Sequence, residues 1–403
     1  MSSRVETRFG DVTAEQTRRL GAPASTRPVY GVDRSQGLTS QAKYVSGDLS
    51  RYKRLEPGMF AYNPMRLNIG SIGFCDSERT PGLVSSDYIV FSCRDDVLLP
   101  EYLRYYVLGP SWAQWTSSAG VGSVRSRIYY RELAMMPVSL PTIAEQRHVV
   151  QILRTLDDKI ELNRNMNRTL ESIARAIFES WFVDRDSSDG TTEHNSAERW
   201  PKVAFSETVQ VLSGGTPRTS EPEFWGGGLP WYSVADAPSA GDVFVTDTEK
   251  TISSAGVESS AAQLVPDLTT IVSARGTVGK CALTGREMAF NQSCYGLRPM
   301  DQVGYYFTYF STRNLVEELR RSAHGSVFST ITRDTLTGVC VRRPPSDLVA
   351  AFEREVGPLM QRILLGVEQS KSLTSTRDAL LPRLVSGDLA APGVTGLQAM
   401  GGQ

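Results

Sequence analysis

Between Val149 and Trp181 the chain returns to the same side of a helix at alternating spacings of four and three. The positions are Val149, Leu153, Leu156, Ile160, Asn163, Asn167, Leu170, Ala174, Ile177 and Trp181. That spacing is the seam of a coiled coil. As a helix, these 33 residues would run about 50 Å. Phe352, Val356, Leu359, Ile363, Gly366, Ser370, Leu373, Arg377, Leu380 and Leu384 repeat the spacings. This second helix is weaker by composition: Gly357 and Gly366 lower its propensity, and Pro358 should kink or restart it. Because the first helix carries the chain away from its starting point, the second packs along it only by running back, which predicts an antiparallel pair. Joining the seam ends sets Asn163 opposite Ser370 and Asn167 opposite Gly366. A buried Asn costs stability relative to Leu but penalises a slipped register. The alternative is that the two asparagines lie on a partly solvated face or meet a further chain.

Around these helices the pattern changes to short apolar runs such as "DYIVFS" (87–92) and "TTIVSA" (269–274), punctuated by "EPGM" (56–59) and "VPDL" (265–268). These read as strands with turns. Helical stretches are interspersed, "LPEYLRYYVLG" (99–109) and "STRNLVEELRRSA" (311–323), so the fold class is α+β. The chain also repeats itself. "GSVRSRIYYREL" (122–133) aligns with "GSVFSTITRDTL" (325–336) at an offset of 203, which also carries Pro141 onto Pro344 and the first seam onto the second. Upstream, "GSIG" (70–73) meets "GTVG" (276–279) at an offset of 206. Ordered matches over so long a span predict an internal pseudo-two-fold repeat of globule and helix.

The expected organisation is a first globular domain at 1–141, a helix at 142–183, a polar linker at 184–198, a second domain at 199–342, a closing helix at 343–390 and a disordered tail at 391–403. With 403 residues, 40% of them hydrophobic and 22% charged, the chain has ordinary soluble composition and room for more than one core. The start, MSSRVETRFG, lacks a secretory core and no uncharged run is long enough to span a bilayer, so no membrane partner and a cytoplasmic location are expected. Cys75, Cys93, Cys281, Cys294 and Cys340 form no CxxC pair, and the three histidines lie far apart. Buried reduced thiols and no metal site are the expectation. The 43 basic and 44 acidic side chains cancel, so any polyanion must be met by a local surface.

Three stretches carry a resemblance. "LPTIAEQRHVVQILRTLDDKIELNRNMNRTLESIARAIFESWFVD" (140–184) is similar to the central conserved region of the specificity subunits of type I restriction–modification systems. "SGGTPRTSEPEFWGGGLPWYSVAD" (213–236) resembles the opening of that family's target-recognition domains. "YNPMRLNIGSIG" (62–73), "SARGTVGK" (273–280) and "LLPRLVSGDL" (380–389) fit in family order. The first half has no equivalent of the "GGTP…WGGG" opening, which makes its recognition domain another subtype. The resemblance implies a DNA-reading adaptor without catalytic residues: two target-recognition domains separated by an antiparallel coiled coil, each reading half of a bipartite, asymmetric double-stranded DNA target. It further implies docking of two methyltransferase subunits and of two restriction (motor-nuclease) subunits, with S-adenosylmethionine and ATP bound by those partners and no cofactor here. The helix-pairing set is then Leu153, Leu156, Ile160, Asn163, Asn167, Leu170 and Ile177 with Val356, Leu359, Ile363, Ser370, Leu373 and Leu380.

Phosphates are met by Lys and Arg while base edges are read by a few placed side chains. In the first half Arg51, Lys53, Arg54, Arg66, Arg125, Arg127 and Arg131 are the candidates, and in the second Arg218, Arg275, Lys280, Arg320 and Arg321. Each competes with the reading of an ordinary solvated surface charge. Trp225, Trp231, Gly214 and Gly215 read as fold residues. Two rival functions remain. An adenine methyltransferase would need more than "NPMR" (63–66), which lacks the second proline and the aromatic residue of such motifs, and "AGVGSVR" (119–125) has only GxG. A coiled-coil scaffold with no nucleic-acid role is the other.

Overall fold

The computed structural model describes residues 4–34, 37–39, 42–119, 127–183, 200–239, 241–300, 303–322 and 330–389. Residues 122–126 and 325–329, hence Arg125, lie outside them, as do the linker at 184–198 and the tail at 391–403. The chain divides into two compact units, Met1–Asp158 with Thr374–Gln403, and Lys159–Leu373.

The offset of 203 reappears as structure. A short helix Tyr130–Leu133, a strand Pro137–Leu140 and a long helix starting at Ile143 are followed, each 203 residues on, by a helix starting at Arg333, a strand starting at Cys340 and a long helix starting at Ser346. Ile128 and Leu133 are buried, and so are Ile331 and Leu336. The Phe9 amide donates to the Met136 carbonyl at 2.8 Å, and the Phe205 amide donates to the Val339 carbonyl at 2.8 Å. The repeat therefore reaches individual backbone hydrogen bonds.

In the first unit an antiparallel sheet runs in the order Thr13–Glu15, Ile89–Cys93, Met59–Tyr62, Ile72–Phe74. The second unit has the same order, Val209–Ser213, Cys294–Pro299, Thr270–Ser273, Cys281–Thr284, extended by the parallel strand Phe244–Val245. The second unit adds a three-stranded sheet, Thr251–Ile252, Trp225–Tyr232 and Ala289–Phe290. Helix Tyr305–Ser322 packs on the second unit's main sheet and begins six residues before the stretch that reads as helical in sequence. Of the five thiols, which are unpaired, Cys75 and Cys294 are buried, while Cys340, on an edge strand, is exposed, contrary to the expectation of burial.

The first long helix, Ile143–Phe182, opens with a reciprocal cap: the Thr142 amide donates to Glu145 Oε2 at 2.9 Å and the Glu145 amide donates to Thr142 Oγ1 at 3.4 Å. Such a box satisfies donors that a helix start leaves free. The second, Ser346–Ser386, runs unbroken through Pro358. The restart expected there does not occur: Pro358 lies on an exposed face, where the carbonyl left without an N–H donor is open to solvation.

Within each unit the two helices are antiparallel. In the first, Arg377 donates to Asp157 Oδ1 at 2.9 Å, while Val149 and Leu153 share a core with Leu381, Leu384 and Val385. In the second, Asn167 faces Gly366, where any Cβ would collide with the asparagine carboxamide, and Phe178 reaches Phe352. Leu153, Ile160, Asn163, Asn167, Ala174, Val356 and Ile363 are buried; Leu156, Leu170, Ile177, Leu359, Ser370, Leu373 and Leu380 are half-buried. Near the end of the first seam Phe178 is the buried ring and Trp181 is half-buried.

The two asparagines do not both bond across to the second helix. Asn163 Nδ2 donates to Gln369 Oε1 at 3.1 Å, next to Ser370, whereas Asn167 Nδ2 donates to Asp242 Oδ1 at 3.2 Å, in a loop of the second globular domain. Asn167 thus ties that domain to the helix. Among the described residues neither Oδ1 has a partner, although both are buried. An unsatisfied buried acceptor costs about 1–3 kcal/mol. Replacing both asparagines with Leu is therefore expected to raise stability by about 2 kcal/mol in urea titrations while loosening register; a lowered midpoint would contradict the register account.

A polar side chain from each long helix also caps a helix of its globular domain. Gln146, fully buried, accepts from the Leu99 amide at 2.9 Å, where helix Pro100–Tyr106 begins, and donates to the Val97 and Pro141 carbonyls. Glu353 accepts from the Phe307 amide at 2.8 Å in the first turn of Tyr305–Ser322. Burial pushes the Glu353 carboxyl up, against the pull of the backbone amides of Phe307, Tyr306 and Tyr305. A raised folded pKa means that the group favours folding most at low pH. This contribution is lost as pH climbs from the ordinary glutamate value of about 4.3 through the folded one. Glu353→Gln keeps an acceptor without a charge, so its stability relative to the parent should improve between pH 4 and pH 7. Glu353→Ala should lose about 1 kcal/mol of capping. Thermal melts across that pH range would show both effects.

Candidate nucleic-acid interface

In both units a set of exposed cations lies at the same end of the main sheet. In the second unit this end is formed where strand Val209–Ser213 leaves, where Thr270–Ser273 turns into Cys281–Thr284, and where Cys294–Pro299 begins. Arg218 follows the first of these strands; Arg275 and Lys280 lie in the 274–280 turn, and all three are exposed. The turn is held from the side: Arg275 bridges Thr330, the Ile331 amide donates to the Ala274 carbonyl at 2.9 Å, and the Ala274 amide donates to the Ser293 carbonyl at 2.7 Å.

Arg218 is placed by tryptophans. Trp225 Nε1 donates to the Arg218 carbonyl at 3.2 Å, Trp231 Nε1 donates to the Gly215 carbonyl at 2.9 Å, and the two rings meet edge-on at 5.1 Å. Gly214 and Gly215 lie so close to the Phe290–Asn291 and Ala261–Ala262 backbones that no side chain fits. These four residues build the turn that presents Arg218, as their reading as fold residues expects.

The first unit repeats the plan. Its equivalent turn, 63–71, connects Met59–Tyr62 to Ile72–Phe74 and carries exposed Arg66, Asn68 and Ile69. The Ile128 amide donates to the Pro64 carbonyl at 2.9 Å, which brings exposed Arg127 and Tyr129 beside it, joined by an Arg127 Nη1 to Tyr129 Oη bond of 3.1 Å. Asn63, in the sequence that raised the methyltransferase alternative, turns its Oδ1 onto the Met65 amide at 2.9 Å.

Two cations absent from the sequence reading belong here. Arg18 and Arg19, both exposed, follow strand Thr13–Glu15 as Arg218 follows its counterpart. Arg19 bridges Lys53, and the Arg54 amide donates to the Arg18 carbonyl at 2.9 Å, so Arg18, Arg19, exposed Arg51 and half-buried Arg54 form one basic group. Topological equivalence to Arg218 was the available signal, and it becomes visible only once the sheet orders are superposed.

Other candidates have partners within the fold. Lys53 is buried and its Nζ donates to the Tyr88 carbonyl at 2.7 Å; burial pushes its ammonium pKa down. Arg131 pairs with Glu132 at 2.9 Å and Arg321 with Glu317 at 3.4 Å, both on the surface, where such pairs contribute little. Arg320 rests its guanidinium on the Val278 carbonyl. Among the described residues no group of three His, Cys, Asp or Glu side chains could hold a metal ion, and no helix is long and apolar enough to cross a membrane.

Comparison with known proteins agrees with this doubled plan. A curated relative, the specificity subunit of type I restriction enzyme HindI from Haemophilus influenzae, is 24% identical over 466 aligned positions that cover 96% of this chain and 100% of the relative. The MjaIX specificity subunit from Methanocaldococcus jannaschii is 23% identical over 305 positions, 73% of this chain and 70% of that one. In fold, the chain is similar to the crystal structure of a type I restriction–modification S subunit from M. genitalium, with a TM-score of 0.60 at 12% identity over 95% of this chain and 96% of the other. The family model for the type I restriction modification DNA specificity domain matches twice, at residues 61–172 and 197–347. Those two segments fall one on each repeat and together span well over half of the sequence, so the chain belongs to the type I restriction modification DNA specificity family.

Proposed function

We propose that this chain is the DNA-reading subunit of a type I restriction–modification complex. Each globular domain reads one half of a bipartite, asymmetric target in double-stranded DNA. The long helices act as spacer and as the docking site for two methyltransferase subunits, and two restriction subunits join to cleave unmodified DNA. S-adenosylmethionine and ATP are bound by those partners, and this chain contributes recognition without chemistry. The observation that carries the reading is the repeated placement of exposed cations around equivalent turns at one sheet end, Arg66 and Arg127 in one unit, Arg218, Arg275 and Lys280 in the other.

Sequencing a host genome with detection of methylated adenine, with and without this chain, tests the proposal. A bipartite methylated motif that disappears with the chain is expected; an unchanged methylation pattern would overturn it. With methyltransferase subunits present, gel retardation should be sequence-selective and salt-sensitive. If six cations meet phosphates, affinity should fall about a thousandfold between 50 and 200 mM salt.

A further inference from the structure

The 274–280 turn of the second unit presents Arg275, Thr277 and Lys280 to solvent on a frame closed from several sides. Ser273 Oγ accepts the Lys280 amide at 2.8 Å and donates to the Thr277 carbonyl at 2.5 Å. The Gly279 amide donates to the Ser273 carbonyl at 2.7 Å, and Val278 is buried beneath. The outer side is closed by helix Tyr305–Ser322, from which Arg320 Nη2 donates to the Val278 carbonyl. Gly279 has φ +77°, and the absence of a Cβ lets Val316 and Arg320 lie directly against it. The helix is itself moored to the first long helix, by Arg313 on Glu171 and by Arg175 on Glu317 at 3.4 Å. In the first unit the equivalent turn is seated differently, by Leu67 in the same apolar core as Trp112.

We propose that Arg320 is a positioning residue: by holding the Val278 carbonyl it fixes the aim of Arg275, Thr277 and Lys280, and so sets base discrimination in one half of the target only. The inference rests on the DNA-reading function proposed above. Its competitor is that Arg320 itself meets a phosphate. The two differ in kind, because a lost phosphate contact weakens binding to all sequences and lowers the salt slope by about one, whereas a misaimed turn erodes the preference for one base over another.

The test uses the full chain assembled with its methyltransferase subunits, competing DNA duplexes that carry single-base changes in either half of the methylated motif. For Arg320→Met the preference for the correct base should fall about tenfold at one or more positions of one half-site, with the other half-site and the salt slope unchanged. Gly279→Ala keeps every charge but drives the turn away from Arg320 and Val316, and it should relax the same positions. The second variant keeps the test decisive if the first folds poorly. Uniform weakening with a salt slope lower by about one in Arg320→Met overturns the proposal, as does unaltered discrimination in both variants. Lack of any sequence preference in the unsubstituted complex would defeat the DNA-reading function itself, and that result is seen before either variant is made.

Discussion

Phe352→Ala is expected to destabilise the second unit by about 3–5 kcal/mol, a large share of the roughly 5–15 kcal/mol that holds a domain folded. The ring is fully buried and touches Phe178 at 5.9 Å, Trp181 at 6.2 Å, Phe182 at 5.3 Å, Phe307 at 6.4 Å and Phe310 at 6.2 Å between centroids. Three of those rings belong to the first long helix and two to helix Tyr305–Ser322. One side chain of the second long helix therefore joins three helices. Truncation leaves a cavity that flat, stiff neighbours cannot fill, and it forfeits edge-on ring contacts beyond the lost area. Phe352→Leu should lose markedly less. Hydrogen exchange would assign the loss: amides of the second unit should lose protection, and a change of less than about 1 kcal/mol would show that the ring cluster is peripheral.

Arg313→Ala should cost about 2–4 kcal/mol by leaving Glu171 without its partner. The Glu171 side chain is 14% exposed and that of Arg313 is 26% exposed. A charge stranded at that depth loses both solvent and counter-ion, while the residual exposure of Arg313 keeps the figure below that of a fully enclosed pair. Arg313 also lies over the Tyr309 ring, 5.6 Å from its centroid, a contact that alanine removes. Replacing both charged residues by Met should recover most of the loss, since two apolar side chains of similar length leave nothing unpaired. A double-mutant cycle in urea reads the coupling directly. A coupling near zero would mean that Arg313 acts through packing alone.

Much of this architecture was legible in the residues because it was written twice. The offset of 203 carried the 122–133 motif, Pro141 and the seam onto their second copies, and the seams placed Asn167 against Gly366. The start of helix Tyr305–Ser322 was not legible: "YYFTYF" (305–310) is aromatic-rich like a strand, and burial of Tyr306, Phe307, Tyr309 and Phe310 against the long helices overrides that propensity. Asp242 as partner of Asn167 was hidden for a related reason. Seventy-five residues separate them, and nothing local marks a loop that lands on a helix. The exposed cations of that sheet end were half legible: local basic clusters nominated Arg66, Arg218 and Arg275 as candidates, but only the pairing of strands added Arg18 and Arg19 and showed Lys53 turned inward.

The second unit is one continuous stretch of chain, whereas the first is completed by residues that follow it. Leu381, Leu384 and Val385 stand in the core that Tyr102 and Leu153 help to form, and the Val385 carbonyl accepts from Arg4 at 2.8 Å. On the ribosome, the domain begun first must wait for some 215 residues of its neighbour, roughly 10–40 s of translation. Its apolar face stays open throughout, and a premature stop near residue 374 would spare the later-made domain while leaving the earlier one unfinished.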